Sequence, residues 1–473
     1  MSSLKFGTSG LRGLVTELVG LPTYAHVRAF CAMLRDEGEA AKPGSDVLIG
    51  RDLRSSSPLL AAQCAQAIAD AGLVPVDCGP VPTPALALAA MAAGCPAVMV
   101  TGSHIPDDRN GLKFYRAGGE IDKADEAGIL AQHEALALAT APDISITARQ
   151  RDVLAPYRAR YVDFFGHALD GLTIGVYQHS SVGRDVVHDV LAALGATPVP
   201  LGRSETFIPV DTEALRPEDE NLARRWASER RLDAIVSTDG DADRPLVADE
   251  VGRFLRGDLV GALTARFLGA DAIVTPVTSN SALDRPGSFD KVVRTRVGSP
   301  HVIAGMTEAE AAGAGTIVGF EANGGVLLGS NVMLDGRHLS ALPTRDALLP
   351  ILATLALARA TGKPLSAMAA EARFATALSN RLQEVPQDRT AALIARLDAE
   401  DSGFRDTAFA AHGAVVSRDR RDGLRLTLGN GATVHFRASG NAPELRVYVE
   451  APTPEAAEAL LTENLAFAAA QTR

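Results

Sequence analysis

Ala234-Ile235-Val236-Ser237 runs into Thr238-Asp239-Gly240-Asp241-Ala242-Asp243-Arg244. An apolar, β-branched run of this length reads as a buried strand, and the polar loop at its end carries three carboxylates. The same design recurs on either side. Ala97-Val98-Met99-Val100 leads into Thr101-Gly102-Ser103-His104, and Thr316-Ile317-Val318-Gly319 leads into Phe320-Glu321-Ala322-Asn323-Gly324-Gly325. Direct identity between the three units is slight, so a diverged triplication is an inference from the shared design. Around these strands lie further strand candidates at 46–50, 74–77 and 172–176, and Ala-rich helical segments at 57–71, 185–194 and 257–268. Strands alternating with helices give an α/β fold, and loops at strand ends are where open α/β sheets bind ligands.

At 473 residues the chain exceeds one ordinary core. The tail changes character. Alternating patterns at 423–428, 433–436 and 445–449 predict antiparallel strands, and 454–470 predicts a helix over one face. The expected organisation is three related mixed-sheet α/β domains, at 1–150, 151–256 and 257–370, followed by an α+β domain at 371–473.

A net charge of -11 supplies no basic stripe and argues against a nucleic-acid partner. With only six lysines in the chain, Lys113 in a polar segment stands out. Cys31, Cys64, Cys78 and Cys95 lack metal-type spacing and read as reduced, mostly buried thiols. No signal-peptide pattern opens the sequence. The apolar stretch 84–100 is broken by Gly94 and Pro96 into a helix, a turn and a strand. The stretch 347–360 contains Pro350 and is too short to cross a bilayer. The expectation is a cytoplasmic protein without a membrane partner.

Four loops carry chemistry. In the first, Gly102 lets the chain turn sharply and display Ser103, a candidate nucleophile or phosphoryl carrier, with His104 beside it and Lys113 downstream. In the second, alternate positions of an extended loop would bring Asp239, Asp241 and Asp243 to one side. Their repulsion calls for a cation, and oxygen-only ligation suits Mg²⁺ or Ca²⁺. An EF-hand is excluded because Arg244 stands where that loop needs glycine, Pro245 follows, and a strand precedes. In the third, Glu321 and Asn323 can hydrogen-bond adjacent hydroxyls, as on a sugar ring. In the fourth, Arg437-Ala438-Ser439-Gly440-Asn441 offers a fork of donors, hydroxyl and amide groups and an open backbone, a set suited to phosphate. Near the start, Phe6-Gly7-Thr8-Ser9-Gly10-Leu11-Arg12-Gly13 is glycine-rich and lacks the Lys-Ser/Thr ending of a P-loop.

Taken together, in this order and over essentially the whole chain, the loops resemble those of the α-D-phosphohexomutase superfamily, most closely its phosphomannomutase/phosphoglucomutase members. The resemblance implies four domains around a central cleft. It implies that Ser103 is the serine phosphorylated in the active enzyme, and that Asp239, Asp241 and Asp243 hold Mg²⁺ with the Ser103 phosphate completing the site. Glu321 and Asn323 fall in the sugar-recognition loop, and Arg437, Ser439, Gly440 and Asn441 in the loop gripping the phosphate that is not transferred. Arg12, Lys113 and Arg244 fall among the cations around the transferring phosphate, with Lys113 a proton shuttle and His104 beside the serine. The implied reaction interconverts hexose 1-phosphate and hexose 6-phosphate through a phosphoserine and a hexose 1,6-bisphosphate, which also serves as activator. The implied assembly is a monomer or homodimer.

Where many dual-specificity relatives carry Glu-x-Ser-Gly-His, this chain has Asn323 and Gly325 in the Ser and His places. Mannose, glucose and glucosamine phosphates therefore stay open as substrates, with phosphoglucosamine mutase the nearest rival. A Mg²⁺-dependent phosphatase and a non-catalytic sugar-phosphate binder are the alternatives from other classes. A serine hydrolase fits less, because Ile105 replaces the second glycine of a nucleophile elbow.

Overall fold

A computed structural model describes residues 4–7, 10–39, 43–400, 402–439 and 443–472. Thr8, Ser9, Gly440 and Asn441 lie outside the described residues. The described residues form three mixed sheets in succession, a two-stranded ribbon of Val332–Leu334 and Arg337–Leu339, and then a larger antiparallel sheet. The first sheet has eight strands. Asp46–Arg51, Val74–Pro80 and Ala97–Val100 run parallel, Arg109–Arg116 lies antiparallel beside Ala97–Val100, and Leu11–Leu14 pairs antiparallel with Arg109–Arg116 in turn. In the second, Thr197–Arg203, Thr173–His179 and Ala234–Thr238 are parallel and Pro245–Ala248 closes the edge antiparallel. The third repeats that plan with Lys291–Thr295, Ala272–Pro276 and Ile317–Phe320, then antiparallel Val326–Leu328 and Leu342–Asp346.

In all three sheets the strand leading into a chemical loop sits between one parallel and one antiparallel neighbour. Val100 faces Leu112, Thr238 faces Pro245, and Phe320 faces Val326 across the ladder. The loops at the strand ends are therefore hairpin connections. An antiparallel neighbour lets the chain return directly, so each loop is short and pinned at both ends.

The fourth sheet pairs Thr376–Leu382, Leu445–Ala451, Thr433–Ala438, Leu424–Leu428 and Val415–Asp419, all antiparallel, under the helix Pro454–Thr472. Here too the chemical loop joins two hairpin partners, Ala438 opposite Leu445.

The first three sheets share one continuous apolar core, reaching from Leu48 through Val176 and Ile273 to Leu352. The tail has its own core around Leu426, Phe436 and Val447. The buried helix Leu348–Thr361 belongs to the shared core, with Pro350 in its first turn, where proline is tolerated. Among the described residues no helix is long and apolar enough to cross a membrane. All four cysteines are free and buried.

Candidate active site

Ser103 occupies left-handed backbone, φ 54°. The turn expected at Gly102 thus falls on the serine itself. Gly102 is required for another reason, since a Cβ there would lie 2.7 Å from the guanidinium carbon of Arg54. Arg54 is buried and holds the hairpin from inside. It donates to the carbonyls of Ser103 (3.0 Å), Pro106 (2.7 Å) and Arg109 (3.0 Å), pairs with Asp52, and stacks 3.9 Å from the Phe207 ring. Asp52 in turn accepts from the Thr101 hydroxyl at 2.8 Å. Left-handed backbone disfavours a non-glycine residue by about 1–2 kcal/mol, and this network holds it in place.

The three aspartates converge, but by a different route from the extended alternation expected. Residues 239–244 form a tight hairpin in which Ala242 is left-handed, φ 57°. The Asp239 carboxylate closes it, accepting from the backbone N–H of Asp243 and of Arg244, each at 3.2 Å. Candidate ligand atoms of Asp239, Asp241 and Asp243 lie within 4.8 Å of one another, and all three residues are buried. The Ser103 hydroxyl donates to Asp239 Oδ2 at 2.6 Å and lies 3.1 Å from His104 Nδ1. This approach of two sheets depends on Gly240, where a Cβ would lie 2.6 Å from the Ser103 carbonyl oxygen.

The donor set fits a hard divalent cation. Asp241 Oδ1 and Asp243 Oδ1 are buried and have no hydrogen-bond partner among the described residues. Two such oxygens, with Asp239 and Ser103 alongside, offer the all-oxygen ligation that magnesium prefers. Burial and the repulsion of Asp241 and Asp243 push the Asp239 carboxyl well above its usual range. Burial would also raise Asp243, but Arg345, Lys113 and Arg244 outweigh it and hold that carboxyl well below.

Cations surround the acidic hairpin. Lys113, from the strand Arg109–Arg116, donates to Asp241 Oδ2 at 2.6 Å and Asp243 Oδ2 at 2.7 Å. Burial alone would lower its ammonium, but the two aspartates hold it above its usual value. Arg12 pairs backbone to backbone with Gly111, and its side chain has no hydrogen-bond or ion-pair partner among the described residues. Burial and the neighbouring Arg244 lower its guanidinium to about 10. The Nε of Arg244 is buried without a hydrogen-bond partner among those residues. Two underused guanidiniums beside a serine hydroxyl form a receptor for an anion. Burial, then Arg244 and Arg12, keep His104 well below its usual range and therefore neutral.

The sugar-loop candidates are also drawn in. Glu321 Oε2 accepts from Arg345 at 3.0 Å. The Asn323 side chain is largely spent on its own loop, its Oδ1 accepting from Gly325 N–H at 2.9 Å. Arg437 and Ser439 stand apart on the fourth sheet. Arg437 donates Nε to Asp422 at 2.8 Å, and Ser439 N–H donates to the Glu444 carbonyl at 2.9 Å. A cleft of about 840 Å³ is lined by residues from the first three sheets' loops, including His104, Glu213 and Ala322, and by strand residues of the fourth sheet, including Arg446.

Arg345, Thr83 and Arg54 are site residues that the sequence reading missed. Arg345 bridges Asp243 (2.9 Å) and Glu321, and the Thr83 hydroxyl donates to Asp241 Oδ2 at 2.7 Å. Arg54 had a usable signal: Asp52-Leu53-Arg54-Ser55-Ser56 is itself a polar loop at the end of a buried strand. Thr83 had none.

Comparison with known proteins gives the same picture. The descriptions phosphoglucomutase/phosphomannomutase alpha/beta/alpha domain I, domain II, domain III and C-terminal domain match residues 3–139, 158–252, 256–374 and 386–466 respectively. A phosphomannomutase of Sinorhizobium fredii is 51% identical over 471 residues, covering 98% of both chains. A phosphomannomutase of Salmonella muenchen is 42% identical, covering 96% of this chain and 93% of its own. Phosphoglucosamine mutases match at 27–30% identity. The crystal structure of a phosphoglucomutase/phosphomannomutase family protein from Burkholderia thailandensis superposes with a TM-score of 0.76 at 22% identity, covering 98% of this chain and 96% of that one.

Proposed function

The chain belongs to the phosphoglucomutase/phosphomannomutase family, and on that footing we propose that it interconverts hexose 1-phosphate and hexose 6-phosphate, with mannose phosphates as the preferred pair. The observation that carries this reading is the 2.6 Å contact between the Ser103 hydroxyl and Asp239, in a site whose Arg244 Nε has no hydrogen-bond partner among the described residues. Full-length similarity to phosphomannomutases supports mannose, and the lower identity to phosphoglucosamine mutases weighs against glucosamine.

Ser103 carries the phosphoryl group. In the first half-reaction the bond from Ser103 Oγ to phosphorus breaks, and a new one forms to the free hydroxyl oxygen of the hexose phosphate. The hydroxyl proton passes to Ser103 Oγ. Lys113, the shuttle expected from the resemblance, has its ammonium committed to Asp241 and Asp243, and neutral His104, 3.1 Å from that oxygen, is the side chain placed to carry the proton instead. Lys113, held as an ammonium, and Arg12 and Arg244 stabilise charge on the phosphoryl oxygens. Asp239, Asp241 and Asp243 are the residues that would hold a magnesium ion, which would supply Lewis-acid stabilisation of that charge. Arg437 and Ser439 grip the other phosphate. The hexose 1,6-bisphosphate then turns over in the cleft, and its other phosphoryl group returns to Ser103.

The test is ³¹P NMR of the protein with mannose 1-phosphate or glucose 1-phosphate, Mg²⁺ and a trace of hexose 1,6-bisphosphate. The 6-phosphate signal is expected to grow, faster for mannose, and to vanish with Ser103→Ala. Release of inorganic phosphate alone would replace this reading with a phosphatase.

A further inference from the structure

A fifth loop enters the cleft from the second sheet. Residues 204–216 connect the strand Thr197–Arg203 to the helix Pro217–Glu229. At its tip, Asp211 Oδ1 accepts from the backbone N–H of Glu213 at 3.0 Å, a local turn that presents the next two side chains. Thr212 then donates its hydroxyl to the carbonyl oxygen of Asn323 at 2.9 Å, tying this tip to the sugar loop of the third sheet. The Asp211 carboxylate lies 4.0 Å from His104 Nε2. The tip is thus fixed between the reacting serine's neighbour and the loop that reads the sugar.

Glu213 is an exposed residue that lines the cleft. Among the described residues its carboxylate has no hydrogen-bond or ion-pair partner. The charges that face it are Arg244 at the transfer end, Arg446 on the fourth sheet, and the carboxylates of Asp211 and Glu321. An uncommitted carboxylate in a cleft that receives phosphates repels them unless it meets the neutral part of the substrate. Glu213 lines the cleft within electrostatic reach of Arg244 and of Arg446, on a tip tied to the sugar loop, and there a carboxylate suits the neutral part, the sugar ring. Hexoses differ only in the direction of their hydroxyls, and a carboxylate offers acceptors only. Glu321 already spends one oxygen on Arg345, so a second carboxylate supplies acceptors that the sugar loop lacks.

We propose that Glu213 is a specificity-determining residue, accepting hydrogen bonds from ring hydroxyls of the hexose opposite Glu321. This rests on the mutase reading above. Steady-state rates on mannose 1-phosphate and glucose 1-phosphate test it, with wild type, Glu213→Gln, Glu213→Ala and Thr212→Val. The ratio of kcat/KM between the two sugars is expected to shift on the order of tenfold in both Glu213 variants, because a lost hydroxyl contact acts on one epimer more than the other. Thr212→Val is expected to reproduce part of that shift by loosening the tip. A merely structural role would lower both sugars in proportion, and that outcome, or unchanged kinetics, overturns the assignment while leaving the mutase reading intact. A wild type that turns over neither sugar would remove both.

Discussion

Arg345 Nη2 stands 2.9 Å from Asp243 Oδ2 across 102 residues of sequence. Through Nη1 the same guanidinium holds Glu321, so the metal-type hairpin and the sugar loop share one cation. Only a planar fork serves both partners at once, and a lysine supplies a single point charge. Arg345→Lys is expected to lower kcat/KM on the order of a hundredfold, with the loss falling on both binding and turnover. Kinetics that stay within threefold would mean that Asp243 and Glu321 hold their places unaided.

Arg54 carries no expected contact with substrate, yet it fixes the backbone of Ser103. Arg54→Ala leaves the buried Asp52 unpaired and several carbonyls unsatisfied. The expected destabilisation is about 3–5 kcal/mol, read as a lowered urea midpoint. Residual folded protein should also take up phosphate slowly from a hexose 1,6-bisphosphate, since Ser103 is free to leave its left-handed conformation.

Gly240→Ala tests the docking of the first two sheets. The new methyl would meet backbone, the Ser103 carbonyl oxygen at 2.6 Å, which cannot swing aside as a side chain would. Activity should fall on the order of a hundredfold, while overpacking costs only about 1–3 kcal/mol of stability. Near-normal turnover would show that the Ser103–Asp239 contact tolerates movement.

Acid should loosen the fold through histidines remote from the aspartates. Burial lowers His26 and His435 to about 4, and each is 6% exposed or less. The unfolded chain takes up these protons near pH 6.5, whereas the folded chain resists until about 4. Stability is therefore complete above roughly pH 6.5 and declines as pH falls toward 4, by roughly 3 kcal/mol for each histidine. Urea unfolding across that window checks the slope, and His435→Gln should flatten part of it.

Chelation is expected to silence turnover and Mg²⁺ to restore it, with Ca²⁺ a poor substitute because its larger, looser coordination fits phosphoryl transfer less well. Asp241→Asn should raise the Mg²⁺ concentration needed for half-maximal rate by about tenfold or more. Full activity in chelator would remove magnesium from the reaction.

What the sequence disclosed was local. The strand before Asp239 and the hydroxyl, carboxylate and amide groups of the four loops are all written within a few neighbouring residues. The partners that complete the site are not. Thr83 meets Asp241 across 158 residues, and nothing near Thr83 distinguishes it from the start of any helix. Gly102 and Ser103 exchanged their expected parts because the deciding neighbour, Arg54, is 49 residues away from Ser103. The acidic loop reads as extended in sequence because nothing in its own residues marks the antiparallel strand Pro245–Ala248 that folds it into a hairpin. Gly440 and Asn441 lie outside the described residues, so of the four residues expected in the phosphate loop the structure describes Arg437 and Ser439.

The contact between Ser103 and Asp239 has a bearing on how such a chain can be divided. Its two halves come from different sheets, 136 residues apart, and one continuous core runs beneath both. A fragment that folds around either sheet alone owns a hydroxyl or a carboxylate, and neither has chemistry without the other. Catalytic competence is then a reporter of assembly: in refolding, activity should return with the last docking event, after the secondary structure of both sheets has already formed.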